Sequence, residues 1–398
     1  MAMDMPVSEL QMYFARCKAV DPPNYKQFCD DYGENMKKLL VLVQAYPDNE
    51  GKVTLMYVHT RNLGYVENGY DVTVLNFSAR NPYSIDGIPV ITPKEYESDN
   101  NHYDALVLHA ANIRNHYRFL KKNGDKFEKF LFFYHGHEVL KINRDYSKPY
   151  FYVKENFFKK ITQNVYDEIK LSIWRRYIPT ITHKSYFVFV SKWMYDKFLE
   201  NTRIDSRVLE EKYSITYNNV GIEFENTLFE KDTGTNKLYD FVTIRNNFDG
   251  SKYAIDYVNE LAKRNVEAKF LVVGKGKFFS YIEKAENLVW ENRTMNHQEI
   301  IQTAQTARFA LMPTRTDAQG LMMCELAAMG MPVITSDIPV CHEVLDDYPN
   351  AFFINNDDRT ENLQEFKNMR PTPVKHERYF RAETLQHEIS ILDNLLNK

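Results

Sequence analysis

Apolar residues follow two rhythms along this chain. Short unbroken runs such as residues 38–43 (KLLVLV) suit strands buried on both faces of a parallel sheet. Elsewhere apolar positions recur at helical spacing, as at Val53, Met56, Tyr57, Leu63 and Val66. In the first half the runs predict strands at 38–43, 71–77, 104–108, 129–134, 186–190 and 213–217. In the second half strands at 240–244, 269–273, 288–290, 309–313 and 332–335 alternate with helices at 251–264, 296–307 and 319–329. Such alternation predicts an α/β class with two doubly wound domains facing across a cleft. Ligands of such sheets bind beyond the carboxyl ends of the strands.

Residues 1–36 read as a polar helical extension broken at Pro22-Pro23, 37–222 as the first domain, 223–375 as the second and 376–398 as a tail with a helix. The seam falls in the polar stretch 219–237. Composition narrows the class without naming it. The 398 residues are 44% hydrophobic and carry 50 basic against 54 acidic side chains, so nothing draws the whole chain to nucleic acid. Cys17, Cys29, Cys324 and Cys341 show no C-x2-C pairing, which points to free thiols and a reducing cytoplasm. No leader or membrane-spanning run is expected from the sequence.

One block breaks the pattern. Between residues 140 and 185, ten Lys/Arg face four Asp/Glu, a local net of +6, with nine aromatics interleaved. Basic and aromatic helices suit an anionic membrane surface. Core packing or an oligomer contact for the aromatics, with the lysines as a solvated face, is the alternative, and single-stranded nucleic acid is a third.

The densest chemistry lies in 313–344 (PTRTDAQGLMMCELAAMGMPVITSDIPVCHEV). Asp317 follows a strand, and Gln319-Gly320-Leu321 opens a helix whose free N–H groups suit phosphate. Glu325 lies about two turns further on, where a carboxylate could hold a ribose diol while Asp317 meets a second sugar. Asp317 as a helix cap and Glu325 as a surface residue is the plainer reading.

This stretch resembles the signature of family-4 (group 1) retaining glycosyltransferases, E-x-F-G-x4-E followed by A-x-G-x-P-V-I and a later acidic residue. Here Asp317-Ala-Gln-Gly320, Glu325, Ala328-Met-Gly330-Met-Pro332-Val-Ile334 and Glu343 keep the order, with Asp for the first Glu and Gln319 for the usual Phe. The resemblance implies the GT-B fold of two Rossmann-like domains, and a tail helix that crosses back onto the first domain. It also implies that Arg245 and Lys252 hold a donor diphosphate, that Asp317 and His135 orient the sugar, and that Glu325 takes the ribose. Gly274, in Val-Gly-Lys-Gly276, resembles the family's V-G-x-G, and Gly51 its glycine-rich loop, with one glycine where two are usual. Trp290 sits where the nucleobase is framed, with a core role equally open. His137 and Glu138 are acceptor-side candidates, with capping or core roles as open.

The function implied is transfer of a sugar from a nucleotide-diphosphate sugar, UDP-sugar favoured, to a hydroxyl of a glycan or lipid-linked acceptor in bacterial cell-surface polysaccharide synthesis. Neither cofactor nor metal is expected, and peripheral contact with the inner membrane face is. Three alternatives remain: a non-catalytic glycan-binding or partner subunit, motivated by Asp317 and Gln319, a DNA-modifying glucosyltransferase, and a sugar-nucleotide epimerase or phosphorylase of the same two-domain shape.

Overall fold

The computed structural model describes residues 36–397, apart from 50, 52–53, 99–100, 155–156 and 357–361. The expected extension 1–36 lies almost wholly outside the described residues. The first domain runs β1 (Lys37–Val43), α1 (Met56–Glu67), β2 (Tyr70–Asn76), β3 (Tyr83–Ile85), β4 (Ile88–Ile91), β5 (Ala105–His109), β6 (Lys129–Tyr134), α2 (Phe157–Ile181), β7 (Ser185–Phe189), α3 (Lys192–Thr202) and β8 (Tyr213–Ile215). Its sheet has the order β3-β4-β2-β1-β5-β6-β7-β8, parallel except for the β3–β4 hairpin.

Burial on both faces explains the unbroken apolar runs. Leu40, Leu42, Phe130 and Phe132 pack with Trp174 and Ile178 of α2. Leu39, Val41 and Val43 alternate with them and pack on the other face with Val58 and Tyr65 of α1. Part of the aromatic block 140–185 is therefore core. The outer face of α2 differs: Ile161, Val165 and Ile169, four residues apart and so on one side, are each about half exposed (45%, 54% and 50%).

The second domain runs β9 (Tyr239–Asn247), α4 (Ile255–Arg264), β10 (Phe270–Lys275), β11 (Leu288–Glu291), α5 (His297–Gln305), β12 (Ala307–Leu311), α6 (Leu321–Ala328), β13 (Val333–Ser336), α7 (Pro339–Leu345) and β14 (Ala351–Ile354). The order β11-β10-β9-β12-β13-β14 is that of a doubly wound dinucleotide-type sheet. Its direction of winding reverses between β9 and β12, which fixes where a ligand crevice opens. The helix expected from residue 251 starts only at Ile255. Ser251–Tyr253 form a 3-10 turn, and Ala254, at φ 49°, turns the chain before α4 begins.

After β14 the chain returns to the first domain as α8 (Arg381–Leu396), whose Ile391 and Leu392 join the core beneath β1. One buried ion pair fixes this return. Arg61 Nε of α1 donates to Glu388 Oε1 at 2.7 Å, and both side chains are almost wholly buried. Arg61 Nη1 also donates to Asn218 Oδ1 at 2.8 Å, and Tyr65 Oη to Glu388 Oε2 at 2.9 Å. Removing one partner strands a buried charge, a loss of about 3–5 kcal/mol. Glu388→Ala in the full chain is therefore expected to shift urea unfolding by that amount, and the apolar pair Arg61→Met/Glu388→Leu to recover part of it. A Glu388→Ala loss below about 1 kcal/mol would show the pair to be dispensable.

Candidate active site

The end of β9 sets the site. Arg245 is buried there, and its Nη2 donates to the carbonyls of Met312 (2.9 Å) and Pro313 (3.1 Å), just past β12. It thus bridges the two strands at which the sheet reverses. Burial lowers its pKa, with Tyr253 and Asp317 opposing. Among the described residues its buried Nε has no hydrogen-bond partner. Lys252, on the 3-10 turn, pairs with Asp317 at 3.2 Å. The two cations share one aromatic ring: Arg245 Cζ lies 4.6 Å and Lys252 Nζ 5.1 Å from the centroid of Tyr253. Asp317 also accepts from the N–H of Ala318 at 2.8 Å. Arg245, Lys252 and Asp317 are therefore together at the switch point.

Gly320 caps α6 in the left-handed region, φ 73°, and a Cβ there would meet Met323 Cε at 2.3 Å. Leu321, the first residue of α6, is half-buried against the second domain's core. Gln319 faces elsewhere. Its buried amide accepts from Asn218 N at 2.7 Å and donates to Asn218 O at 2.9 Å, tying the start of α6 to the interdomain linker.

Glu325 is buried beside the start of that linker. Its carboxyl is hydrogen-bonded to the backbone of Gly221 and is pushed up to about 8, by burial first and then by Glu223. His297, at the head of α5, stands between the two acids, 3.1 Å from Glu223 and 3.9 Å from Glu325. Gly274 is required by close approach, since a Cβ would lie 2.1 Å from Arg245 O. Trp290 is half-buried, donates to Gly274 O at 3.1 Å and tilts against Phe279, bracing the ends of β10 and β11.

On the first domain, Gly51 lies exposed in the loop after β1. His135 follows β6 and pairs with His109 of β5 at 3.1 Å. Glu138 is buried and accepts from the N–H groups of His135 and Gly136, so it closes this loop; burial pushes it up to about 7. His137 is exposed and stacks on Tyr146 at 5.5 Å. Although its residue surface is open to solvent, neighbouring protein desolvates the ring enough to lower its pKa, and the charges of Lys170 and Lys252 add to that.

The segment that joins the two sides here lies in the block 140–185, read from sequence as a membrane surface, a core or oligomer contact, or a nucleic-acid site and not as an interdomain strap. Between β6 and α2 a strap lies on the second domain. Ser251 Oγ donates to Ser147 Oγ at 2.8 Å, Tyr150 Oη to Asp256 at 3.0 Å and Tyr152 Oη to Asp249 at 3.1 Å. Tyr152 stacks on Tyr281 at 4.5 Å. The only sequence signal was the aromatic spacing of Tyr146, Tyr150 and Tyr152. Glu343, the later acid of the motif, serves the other edge of the interface: it accepts from the N–H groups of Lys192 and Trp193 at the head of α3. Among the described residues no group of three His, Cys, Asp or Glu is arranged to hold a metal, and no helix is long and apolar enough to cross a membrane.

Residues 241–368 match the family model "Glycosyl transferases group 1". No curated protein matches the chain by sequence. Among solved structures, sucrose-phosphate synthase from Thermosynechococcus elongatus is similar at 12% identity, with TM-score 0.62 over 90% of this chain and 96% of that one. A glycosyltransferase from Rickettsia africae matches at 14% identity and TM-score 0.59, over 91% and 99%. Anabaena HepE in complex with UDP and glucose matches at 12% identity and TM-score 0.58, over 90% and 99%. The switch-point cations sit within the matched region, on the same two-sheet plan. Residues 241–368 are thus similar to group 1 glycosyltransferases, in a chain with the GT-B fold.

Proposed function

We propose that the chain moves a sugar from a nucleotide-diphosphate sugar to a hydroxyl of a glycan or lipid-linked acceptor, in bacterial cell-surface polysaccharide synthesis. The observation that carries this reading is the convergence of Arg245, Lys252 and Asp317 where β9 and β12 diverge. A diphosphate leaving group needs cations where charge builds as the glycosidic bond breaks. Lys252 and Asp317 hold each other until a donor arrives; the diphosphate then takes the ammonium and frees the carboxylate for sugar hydroxyls. Gly320 and the amides of α6 would meet phosphate, and Glu325 the ribose diol. The similar Anabaena structure, bound to UDP and glucose, supports UDP as the nucleotide.

Retention at the anomeric carbon follows from the group 1 resemblance. In the same-face route the bond from the anomeric carbon to the phosphate oxygen breaks as the bond to the acceptor oxygen forms. The hydroxyl proton passes to the departing phosphate. With two cations at the diphosphate, the reading assigns no metal or cofactor. It places the protein in the cytoplasm, at the inner membrane face.

Titration calorimetry with UDP-, GDP- and ADP-sugars tests the donor. One UDP-sugar is expected to bind, and Arg245→Ala or Lys252→Ala to weaken it about ten- to a hundredfold, the worth of a charged hydrogen bond. Absence of binding by every nucleotide sugar would end the transferase reading. A non-catalytic subunit would bind without turnover.

Glu325 yields a pH test. Its carboxyl is raised to about 8, so the folded state favours the protonated form. Stability from this group is full below the ordinary carboxylate pKa and is lost as pH rises toward 8. Glu325→Gln is therefore expected to gain melting temperature relative to the parent between pH 5 and 9. A difference independent of pH would contradict the burial of an ionisable Glu325.

The half-exposed apolar face of α2 supports the membrane contact. Ile161→Ser/Val165→Ser/Ile169→Ser is expected to cut partition onto anionic vesicles by about tenfold or more while leaving donor binding intact. A charge-neutral Lys159/Lys160/Arg175/Arg176 variant should remove the salt-sensitive part. Equal partition of all three proteins would remove the membrane from this reading.

A further inference from the structure

The turn that carries Lys252 is short. Ser251–Tyr253 form a single 3-10 turn, a weakly bonded kind of helix. Its closing backbone bond runs from Ala254 N to Ser251 O at 3.0 Å. A lysine carries its charge on a long flexible stem, so the ammonium keeps one place only if the backbone beneath it is fixed.

The segment after β12 supplies that fixing. Arg315 N donates to Lys252 O at 2.7 Å. The Arg315 side chain then reaches both ends of the turn. Nη1 donates to Ser251 O at 2.8 Å, where the turn begins. Nη1 also donates to Asp256 Oδ1 at 2.9 Å, and Nη2 to Asp256 Oδ2 at 2.7 Å, in the first turn of α4 just past its end. Asp317, two residues after Arg315, takes the Lys252 ammonium at 3.2 Å. One short segment therefore holds Lys252 at its carbonyl and at its charge.

An ordinary surface ion pair is the plainer account of Arg315. The two side chains are partly exposed, 30% for Arg315 and 41% for Asp256, and such pairs add little to stability. Two features count against that account. The pair is bidentate, which fixes the plane of the guanidinium. The remaining N–H of Nη1 goes to a carbonyl of the turn and not to water. Asp256 is also met from the first domain, since Tyr150 Oη donates to the same Oδ1 at 3.0 Å. Without Arg315, Asp256 would keep the strap and lose the turn.

We infer that Arg315 is a positioning residue for Lys252. Paired with Asp256, it brackets the turn and keeps the ammonium at the switch point. Both N–H groups of Nη1 and one of Nη2 are spent on protein acceptors, so Arg315 acts through Lys252 and not on a ligand. That Lys252 meets a diphosphate rests on the transferase reading; the bracket does not.

The test reads Lys252 directly. In the full chain, free of ligand, the lysines are reductively methylated with 13C, and the Lys252 signal is identified by its loss in Lys252→Arg. Asp317→Asn, which removes the partner of the ammonium, marks the position of a released Lys252. Arg315→Ala and Asp256→Ala are each expected to move the signal toward that position, with melting close to the parent's. Arg315→Lys, which keeps the charge without the fork, should fall between. Calorimetry with UDP-, GDP- and ADP-glucose adds a second readout. Arg315→Ala should weaken the tightest of them about tenfold, with no further loss in a Lys252→Ala background. A Lys252 signal left in place by a folded Arg315→Ala overturns the inference; should that variant not fold, Asp256→Ala decides it in the same way. An equal loss of affinity in both backgrounds also overturns it, because Arg315 would then act on the ligand itself. The expected signals in a chain that binds no nucleotide sugar uphold the bracket and end the transferase reading instead.

Discussion

The guanidinium of Arg61 is the knot on which the two-domain arrangement depends. The chain passes between the domains twice, outward through Tyr217–Gly221 and back before α8. Arg61 holds both passages, Asn218 on the way out and Glu388 on the return. The passages also hold each other, since Val220 N donates to Tyr379 O at 3.0 Å. Such a charge, buried in the first domain, is tolerable only while its partners stay in place. The covalent hinge is thereby stiffened into a pivot.

The pivot reaches the donor side through Gln319. A Phe in this place would pack; Gln instead spends both ends of its amide on the backbone of Asn218, one residue from the carbonyl that Arg61 also touches. The head of α6, where phosphate would sit, is thus bonded to the linker that Arg61 clamps. On the opposite edge the strap of Tyr150 and Tyr152 joins the first domain to the turn that carries Lys252. Closure and cation placement are consequently linked at both edges of the cleft. Moving the strap moves the Lys252 turn, and turning the pivot moves the head of α6.

How much of this could be read from sequence depends on how local each cause is. Strand runs such as KLLVLV and KFLFFY announce themselves because double-sided burial removes polar residues from both faces. The β3–β4 hairpin was not read from the sequence: Asp86-Gly87, both at positive φ as a two-residue turn demands, marks its turn, but its strands are too short to show a period. Arg61 was not legible. Its partner Glu388 is 327 residues away, and an arginine among the apolar positions of an amphipathic helix reads as surface. His109 ends a strand of apolar residues and looks like a polar stop, since only the fold brings His135 beside it.

The same distinction sorts the site. Arg245, Lys252 and Asp317, which the motif spacing named, lie together in the structure because all three belong to one sheet and its turns, where register is fixed. It could not reveal which polar side chains the architecture consumes. Glu138 closes its own loop, Trp290 braces two strand ends and Gln319 grips the linker, each through hydrogen bonds that a buried polar atom must make somewhere. A buried polar side chain whose bonds are all met is structural even inside a motif. Arg245, at the switch point, keeps a buried Nε without a partner among the described residues, and there a ligand has something to supply. Lys252 and Asp317 differ from both: their bond is to each other, and an arriving anion can exchange it for its own.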